Sequence, residues 1–263
     1  MLAVALVGAA EVGLRLTGVA DVPLYRPDPH YGYIPVANQS GAWRKRMRWT
    51  YNGLSMGVAE PFRPGGVLLI GDSIVNGGNQ ADQAQRLGPQ LETMIGRDVW
   101  PVSAKSWALL NELAWIKQNP QVVRDVDRIV IVLNPEDFVE PSVWTPDPNR
   151  PKHKPVLQSF FLFDRLVLAP LQGAPAPPKT GRDWKSEFAA FRRATNKPVL
   201  VVLYSGRGPD RIERAAADLG PDVLIVKQDP RWKGERFADY LHIEPGGNAL
   251  LARLIAERLA RRP

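Results

Sequence analysis

Apolar residues recur along this chain in two rhythms. From residue 65 onward, short runs that are apolar throughout alternate with longer stretches that are apolar on one side only. VLLI at 67–70, IVIVL at 129–133 and VLVVLY at 199–204 belong to the first kind, and VWPVS at 99–103 and DVLIV at 222–226, each with one polar residue, are further strand candidates. Such runs predict strands covered on both faces, because a half-exposed strand would alternate. The second kind predicts helices. Residues 83–95 carry Leu87, Leu91 and Met94 at helical spacing, with Pro89 as an internal interruption. Residues 107–118 carry Leu109, Leu110, Leu113 and Ile116, and residues 210–219 also read as helical. Residues 248–261 place Leu250, Leu251, Leu254, Ile255 and Leu259 on a strongly amphipathic helix. Repeated units of this kind predict an α/β fold, with a central parallel sheet and helices on both faces.

Two regions depart from the alternation. Residues 141–181 open with a proline-rich basic loop, continue through SFFLFDRLVLAPL and end in the stiff tract QGAPAPPKTG. The middle part predicts a short helix, and the whole reads as an insertion or lid over the carboxyl edge of the sheet. The other region is the start. Residues 1–10 are continuously apolar or small, and Glu11 and Arg15 then interrupt the run. A membrane-spanning helix needs roughly 20 mainly apolar residues. Residues 1–20 therefore admit three readings: a buried or surface-lying amphipathic helix, a membrane anchor, or a cleaved signal. Residues 21–64 are polar, aromatic and rich in turn residues, and read as an extended arm wrapping a domain at 65–263. Within the arm, Arg44, Lys45, Arg46 and Arg48 stand between Trp43 and Trp49. Their alternation is too poor to predict a strand. The patch reads as a solvated basic edge, or as a contact for anionic lipid or polysaccharide. No nucleic-acid reader motif accompanies it.

Composition narrows the chemistry. The 263 residues are 44% hydrophobic and 23% charged, ordinary for a folded α/β domain. Cysteine is absent, which removes disulfides, thiolate metal sites and cysteine nucleophiles. The three histidines, His30, His153 and His242, are far apart in sequence, so no metal site is expected. Lys plus Arg is 34 and Asp plus Glu is 27, so the net charge is 34 − 27 = +7. No GxGxxG or P-loop pattern is present, and no cofactor is expected.

The chemistry-bearing residues lie at two places. Gly71-Asp72-Ser73 follows the first apolar run, where open α/β sheets bind ligands beyond their carboxyl ends. Asp239 and His242 stand three apart, just ahead of the last predicted helix. A serine hydroxyl needs a base to take its proton, and a histidine oriented by a carboxylate can serve near neutral pH. GDSIVNG at 71–77 resembles the first block of the SGNH/GDSL hydrolases, and DYLHIEPGG at 239–247 resembles their final block. The resemblance runs from Gly66 to the C-terminus. It implies a flavodoxin-like three-layer α/β/α fold and a serine-esterase mechanism, with Ser73 as nucleophile, His242 as base and Asp239 as its partner. The apolar start and the arm segments DPHYGYIPVANQSG and YNGLSMG resemble membrane-anchored bacterial members linked to acylation or deacylation of extracellular polysaccharide.

The middle blocks depart from the family pattern. PVSAKSW at 101–107 has Lys105 or Ser106 where a glycine is expected, and a backbone N–H of either could still bind an oxyanion. VLNPEDF at 132–138 offers Asn134 as a side-chain donor; an alignment fixed on Asp137 would instead put Glu136 in that slot. The expected oxyanion hole is therefore Ser73, Lys105 or Ser106, and Asn134. The expected activity is hydrolysis of O-acyl groups, O-acetyl above all, on a carbohydrate. Acyl transfer through the same triad and non-catalytic polysaccharide binding or assembly are the alternatives. The expected location is the extracytoplasmic side of the cell envelope.

Overall fold

The computed structural model describes residues 2–78, 80–172, 179–205, 215–234 and 237–261. The first half of the expected helix at 210–219 lies outside the described residues, which retain its end as helical residues 215–216 and a 3-10 turn, Ala217–Leu219. Most of the QGAPAPPKTG tract also lies outside them.

The chain begins with helix α1 (Leu2–Thr17). The arm that follows forms two antiparallel hairpins: β1 (Tyr25–Asp28) with β2 (Gly32–Pro35), and β3 (Gln39–Trp43) with β4 (Met47–Tyr51). This corrects the expectation of an arm without strands across the basic patch. Trp43 pairs with Met47, so Arg44, Lys45 and Arg46 form the hairpin turn and Arg48 lies on β4. Arg44 and Lys45 adopt left-handed φ of 49° and 55°. Such turns are usually marked by Gly or Asn, and neither stands here. Nor is the arm only a wrapping: Tyr25, Tyr33, Ile34 and Met56 are buried in one of the two main cores.

Five parallel strands make the central sheet: β5 (Val67–Gly71), β6 (Val99–Ser103), β7 (Arg128–Leu133), β8 (Val199–Leu203) and β9 (Val223–Ile225). Their order is β6-β5-β7-β8-β9. Every residue of β5, β6 and β8 is buried, as unbroken apolar runs require. Leu68, Ile70, Ile129 and Ile131 face a core shared with α4 (Leu109–Gln118) and α8 (Trp184–Ala194). Val67, Leu69, Val130 and Val132 face the other core, shared with α3 (Leu87–Ile95) and α9 (Pro245–Ala260). The fold is thus a three-layer α/β/α sandwich, the arrangement of SGNH/GDSL-type domains. Pro89 is tolerated because it lies in the first turn of α3, where its missing N–H has no intrahelical partner to lose.

The shorter helices are α2 (Ser73–Asn76), α5 (Pro120–Asp125), α6 (Gln158–Phe163) and α7 (Ala169–Gln172). A five-residue π turn, Asp164–Leu168, joins α6 to α7, so SFFLFDRLVLAPL is essentially one irregular helix. It packs against α1 and the arm: Phe161 is buried with Ala20 and Val22.

Candidate active site

The register of the sheet brings three loops to one level. Gly71 pairs with Ser103 on β6 and with Val132 on β7. Two residues further on along each strand lie Ser73, Lys105 and Asn134, at the carboxyl edge. Gly71 is dictated by close approach: a Cβ there would stand 2.6 Å from Val75 Cγ2 and 3.0 Å from the Val132 carbonyl oxygen. The strand therefore turns directly into α2, whose first residue is Ser73. Asp72 caps that turn, accepting the Ile74 N–H at 2.9 Å.

His242 arrives from a loop folded on itself. The Asp239 carboxylate accepts the N–H groups of Leu241 at 2.8 Å and His242 at 2.7 Å. Leu241 and Ile243 are buried in the core shared with α9, and the Tyr204 hydroxyl, just past β8, donates to the Leu241 carbonyl. These anchors leave the imidazole spanning the gap. His242 Nε2 is 2.8 Å from Ser73 Oγ, and His242 Nδ1 is 2.8 Å from Asp239 Oδ2. Burial opposes ionisation of Asp239, but the two N–H groups and the His242 ring outweigh it and hold its carboxyl below the usual range.

Beneath Ser73 lies a network not anticipated from sequence. Asp72 Oδ2 accepts the Ser73 hydroxyl at 3.0 Å and Asn134 Nδ2 at 3.0 Å. The serine has one proton, so Asp72 and His242 compete for it. Asn134 is held on all sides: its N–H donates to Asp137 Oδ2 at 2.6 Å, and its Oδ1 accepts the Glu136 N–H at 2.7 Å. Its side chain thus lies beside Ser73, with one amide hydrogen on Asp72. Asp72, Glu112 on α4 and Asp137 are all buried, and burial raises all three carboxyls above their ordinary range, Glu112 and Asp137 strongly. Mutual repulsion adds to the rise in Glu112 and Asp137. Neither oxygen of Glu112 has a hydrogen-bond partner, as befits a neutral acid.

The remaining expected donors lie on the loop after β6. Ser106 has a left-handed φ of 62°, and its carbonyl accepts the Ser142 hydroxyl. The Lys105 carbonyl accepts the Tyr33 hydroxyl at 2.6 Å. Burial, reinforced by Arg165 and Arg86, pushes the Lys105 ammonium down to about 8. On the opposite side of Ser73, the Tyr240 hydroxyl donates to Glu136 Oε1 at 2.7 Å, joining the histidine loop to the turn after β7. That bond, with burial second, pushes Tyr240 up to about 12. Glu136 therefore lies on the rim rather than in the position that Asn134 takes. Asp72, Glu112 and Tyr240 carried no spacing signal. Asp72 alone was findable, as the middle letter of the GDS motif. Among the described residues, no three of His, Asp or Glu converge in a way that could hold a metal ion.

No protein-family model matches the chain, and no curated protein matches it. Among solved structures, a carbohydrate esterase family 2 enzyme from Myceliophthora fergusii is 16% identical. It has a TM-score of 0.42, over 78% of this chain and 69% of that one. The catalytic domain of a peptidoglycan O-acetyltransferase from Streptococcus pneumoniae is 17% identical, with a TM-score of 0.40, over 75% and 94%. A member of the lipolytic G-D-S-L family from Veillonella parvula is 13% identical, with a TM-score of 0.39, over 75% and 97%. At likenesses this distant, any reading of the site has to rest on the site's own geometry.

Proposed function

We propose that this chain is a serine esterase that removes O-acyl groups, O-acetyl above all, from a carbohydrate through an acyl-enzyme. The observation that carries the reading is the continuous line from Ser73 Oγ to His242 Nε2 and from His242 Nδ1 to Asp239 Oδ2, each link 2.8 Å. In this reading Ser73 Oγ attacks the ester carbonyl while His242 Nε2 takes the serine proton. Asp239 holds the Nδ1–H tautomer and stabilises the imidazolium that forms. The tetrahedral oxyanion meets the Ser73 N–H, the second amide hydrogen of Asn134, and an N–H at Lys105 or Ser106. His242 then returns the proton to the departing sugar hydroxyl. Water, activated by the same imidazole, attacks the acyl-serine and releases the carboxylic acid and free Ser73.

Asp72 sets the starting condition. An ionised Asp72 would hold the serine proton and repel the oxyanion. Burial raises its carboxyl above the ordinary range, the Ile74 N–H and the Ser73 hydroxyl that donate to it oppose the rise, and His242 must take the serine proton in competition with it. The carbohydrate ester and the cell-envelope location are the finer parts of the reading. They are supported by the GDS and Asp-x-x-His blocks and by the apolar start.

The test is turnover of a small aryl acetate and of O-acetylated glycans by wild type and Ser73→Ala, with thermal melts as the folding control. Wild type should turn over at least one of them and Ser73→Ala neither above background. Acetyl appearing on an added sugar rather than in free acetate would reassign the site to acyl transfer. If wild type and Ser73→Ala are indistinguishable on every substrate, the esterase reading fails, and polysaccharide binding takes its place.

A further inference from the structure

A folded domain in water rarely leaves large apolar side chains side by side on its surface. Among the described residues, fourteen large hydrophobic side chains are exposed, and nine of them belong to α1 or to residues 156–171. Scattered singly they would need no explanation; gathered on two touching segments they do. On α1, Val12 and Leu16 are one turn apart and 58% and 64% exposed. On the irregular helix from α6 to α7, Phe160, Phe163, Leu166 and Leu171 recur every three to five residues and are 49–79% exposed. The opposite side of that helix is occupied: Phe161 is buried against Ala20 and Val22. The π turn leaves Arg165 half-buried while Leu166 and Val167 stay outside.

The two segments are locked together. Glu11 accepts the Gln158 N–H at 2.8 Å and the Ser159 N–H at 3.1 Å, capping α6 from α1. Arg15 pairs with Glu11 at 3.2 Å and donates to the Val156 carbonyl at 2.5 Å. The basic hairpin turn sits against the end of the same helix: the Arg44 N–H donates to the Gly18 carbonyl at 2.9 Å, and Lys45 packs beside Gly18. Arg44, Lys45 and Arg46 are exposed and have no carboxylate partner among the described residues, whereas Arg48 is spent on Asp82 at 2.7 Å. Of the acids on or beside the ridge, Glu11 is committed as above and Asp147 to Arg150, while Asp164, half-buried in the π turn, has no ion pair among the described residues.

Apolar side chains beside unpaired cations match an interface that offers hydrocarbon under negative headgroups. We infer that α1 and the helix of residues 158–172 form one docking ridge that lies in the interface of an anionic lipid surface. No helix among the described residues is long and apolar enough to cross a membrane. The apolar side chains enter the acyl boundary, and Arg44, Lys45 and Arg46 meet the headgroups. On this assignment residues 156–171 hold the enzyme to a membrane and are not a lid over Ser73. The inference deepens the envelope reading and is independent of the ester chemistry.

The experiment is flotation of the full chain with phosphatidylglycerol–phosphatidylcholine vesicles and with phosphatidylcholine alone. Wild type should float with the anionic vesicles, and added salt should weaken the binding. Phe160→Ser, Phe163→Ser and Leu166→Ser combined should reduce binding roughly tenfold or more, with melting and small-ester turnover unchanged. Arg44→Glu, Lys45→Glu and Arg46→Glu combined should weaken binding to anionic vesicles by a similar factor and not alter binding to neutral ones. Wild type remaining with the unbound fraction would overturn the inference. So would a triple-serine variant that binds like wild type. A dimer of wild type that the triple-serine change dissolves, without vesicle binding, would assign the ridge to a second copy and overturn it equally. Loss of turnover in Ser73→Ala with binding intact separates this inference from the catalytic reading.

Discussion

The central sheet and the ridge of α1 with residues 158–172 are built from similar residues and end in opposite surroundings. IVIVL on β7 disappears completely between two helical layers. FFLFDRLVL, in the irregular helix, buries only Phe161 and leaves several large side chains in the open. The difference teaches that apolar content reports a demand for cover, not its source. In the sheet the demand is met by neighbouring elements of the same chain. In the ridge only one side of the helix is met, and the other is left to something outside the chain.

The contrast can be tested from its strongest point downward. His242→Ala should reduce small-ester turnover by about four to six orders of magnitude, because Ser73 loses its base. Ridge substitutions should not change that turnover. Equal losses from both would erase the distinction between a catalytic edge and a docking face. Leu251→Ala, in the wholly buried face of α9, should destabilise by about 2–5 kcal/mol in a denaturant titration. A smaller cost would mean that this layer packs more loosely than its burial indicates. Asn134→Ala should slow turnover by roughly a hundred- to thousandfold, or about 3–4 kcal/mol of transition-state stabilisation, with folding largely kept. A change of only a fewfold would leave Asn134 as the brace of Asp72 and assign the oxyanion to other donors.

Glu112 sharpens the contrast through pH. Its folded-state carboxyl is held well above the ordinary range by burial and by Asp72. Above the ordinary carboxylate pKa the unfolded chain has released that proton while the folded chain still holds it. Stability therefore falls as pH rises from there toward the folded-state value. Melting temperatures measured from mildly acid to mildly alkaline pH should show this decline, and Glu112→Gln should flatten it. An unchanged slope would place the titrating burden on Asp72 and Asp137 alone. The smallest effect belongs to the ridge: Phe163→Ser should shift stability by no more than about 0.5 kcal/mol in the same titration. A loss like that of Leu251→Ala would show that Phe163 is covered within the chain after all.

The legible parts of the molecule were those with a local signature. β5, β7 and β8 announced themselves as unbroken apolar runs, because burial on both faces removes alternation, while β6 and the half-buried edge strand β9 showed within apolar stretches that each include one polar residue. Gly71-Asp72-Ser73 and Asp239-x-x-His242 were visible because a strand exit and a helix entry have their own residue preferences. The hairpin at Arg44 and Lys45 was invisible, since its left-handed turn carries neither Gly nor Asn. Glu112 looked like any polar residue of an amphipathic helix, and only packing shows that its carboxyl has no partner. Asn134 was identified as a donor, but its tie to Asp72 depends on two strands lying side by side.

The sequence by itself determined the strands, most of the helices and which residues are candidates for the chemistry, because these follow from local periodicity and from side-chain chemistry. Tertiary structure alone decided which residues meet. It set Ser73 and His242 2.8 Å apart across 169 positions of chain. It gathered Asp72, Glu112 and Asp137 into one buried acidic cluster, and it left one side of α6 and α7 without cover. Those outcomes depend on sheet register and on the finite surface each layer can bury, and no local pattern encodes either.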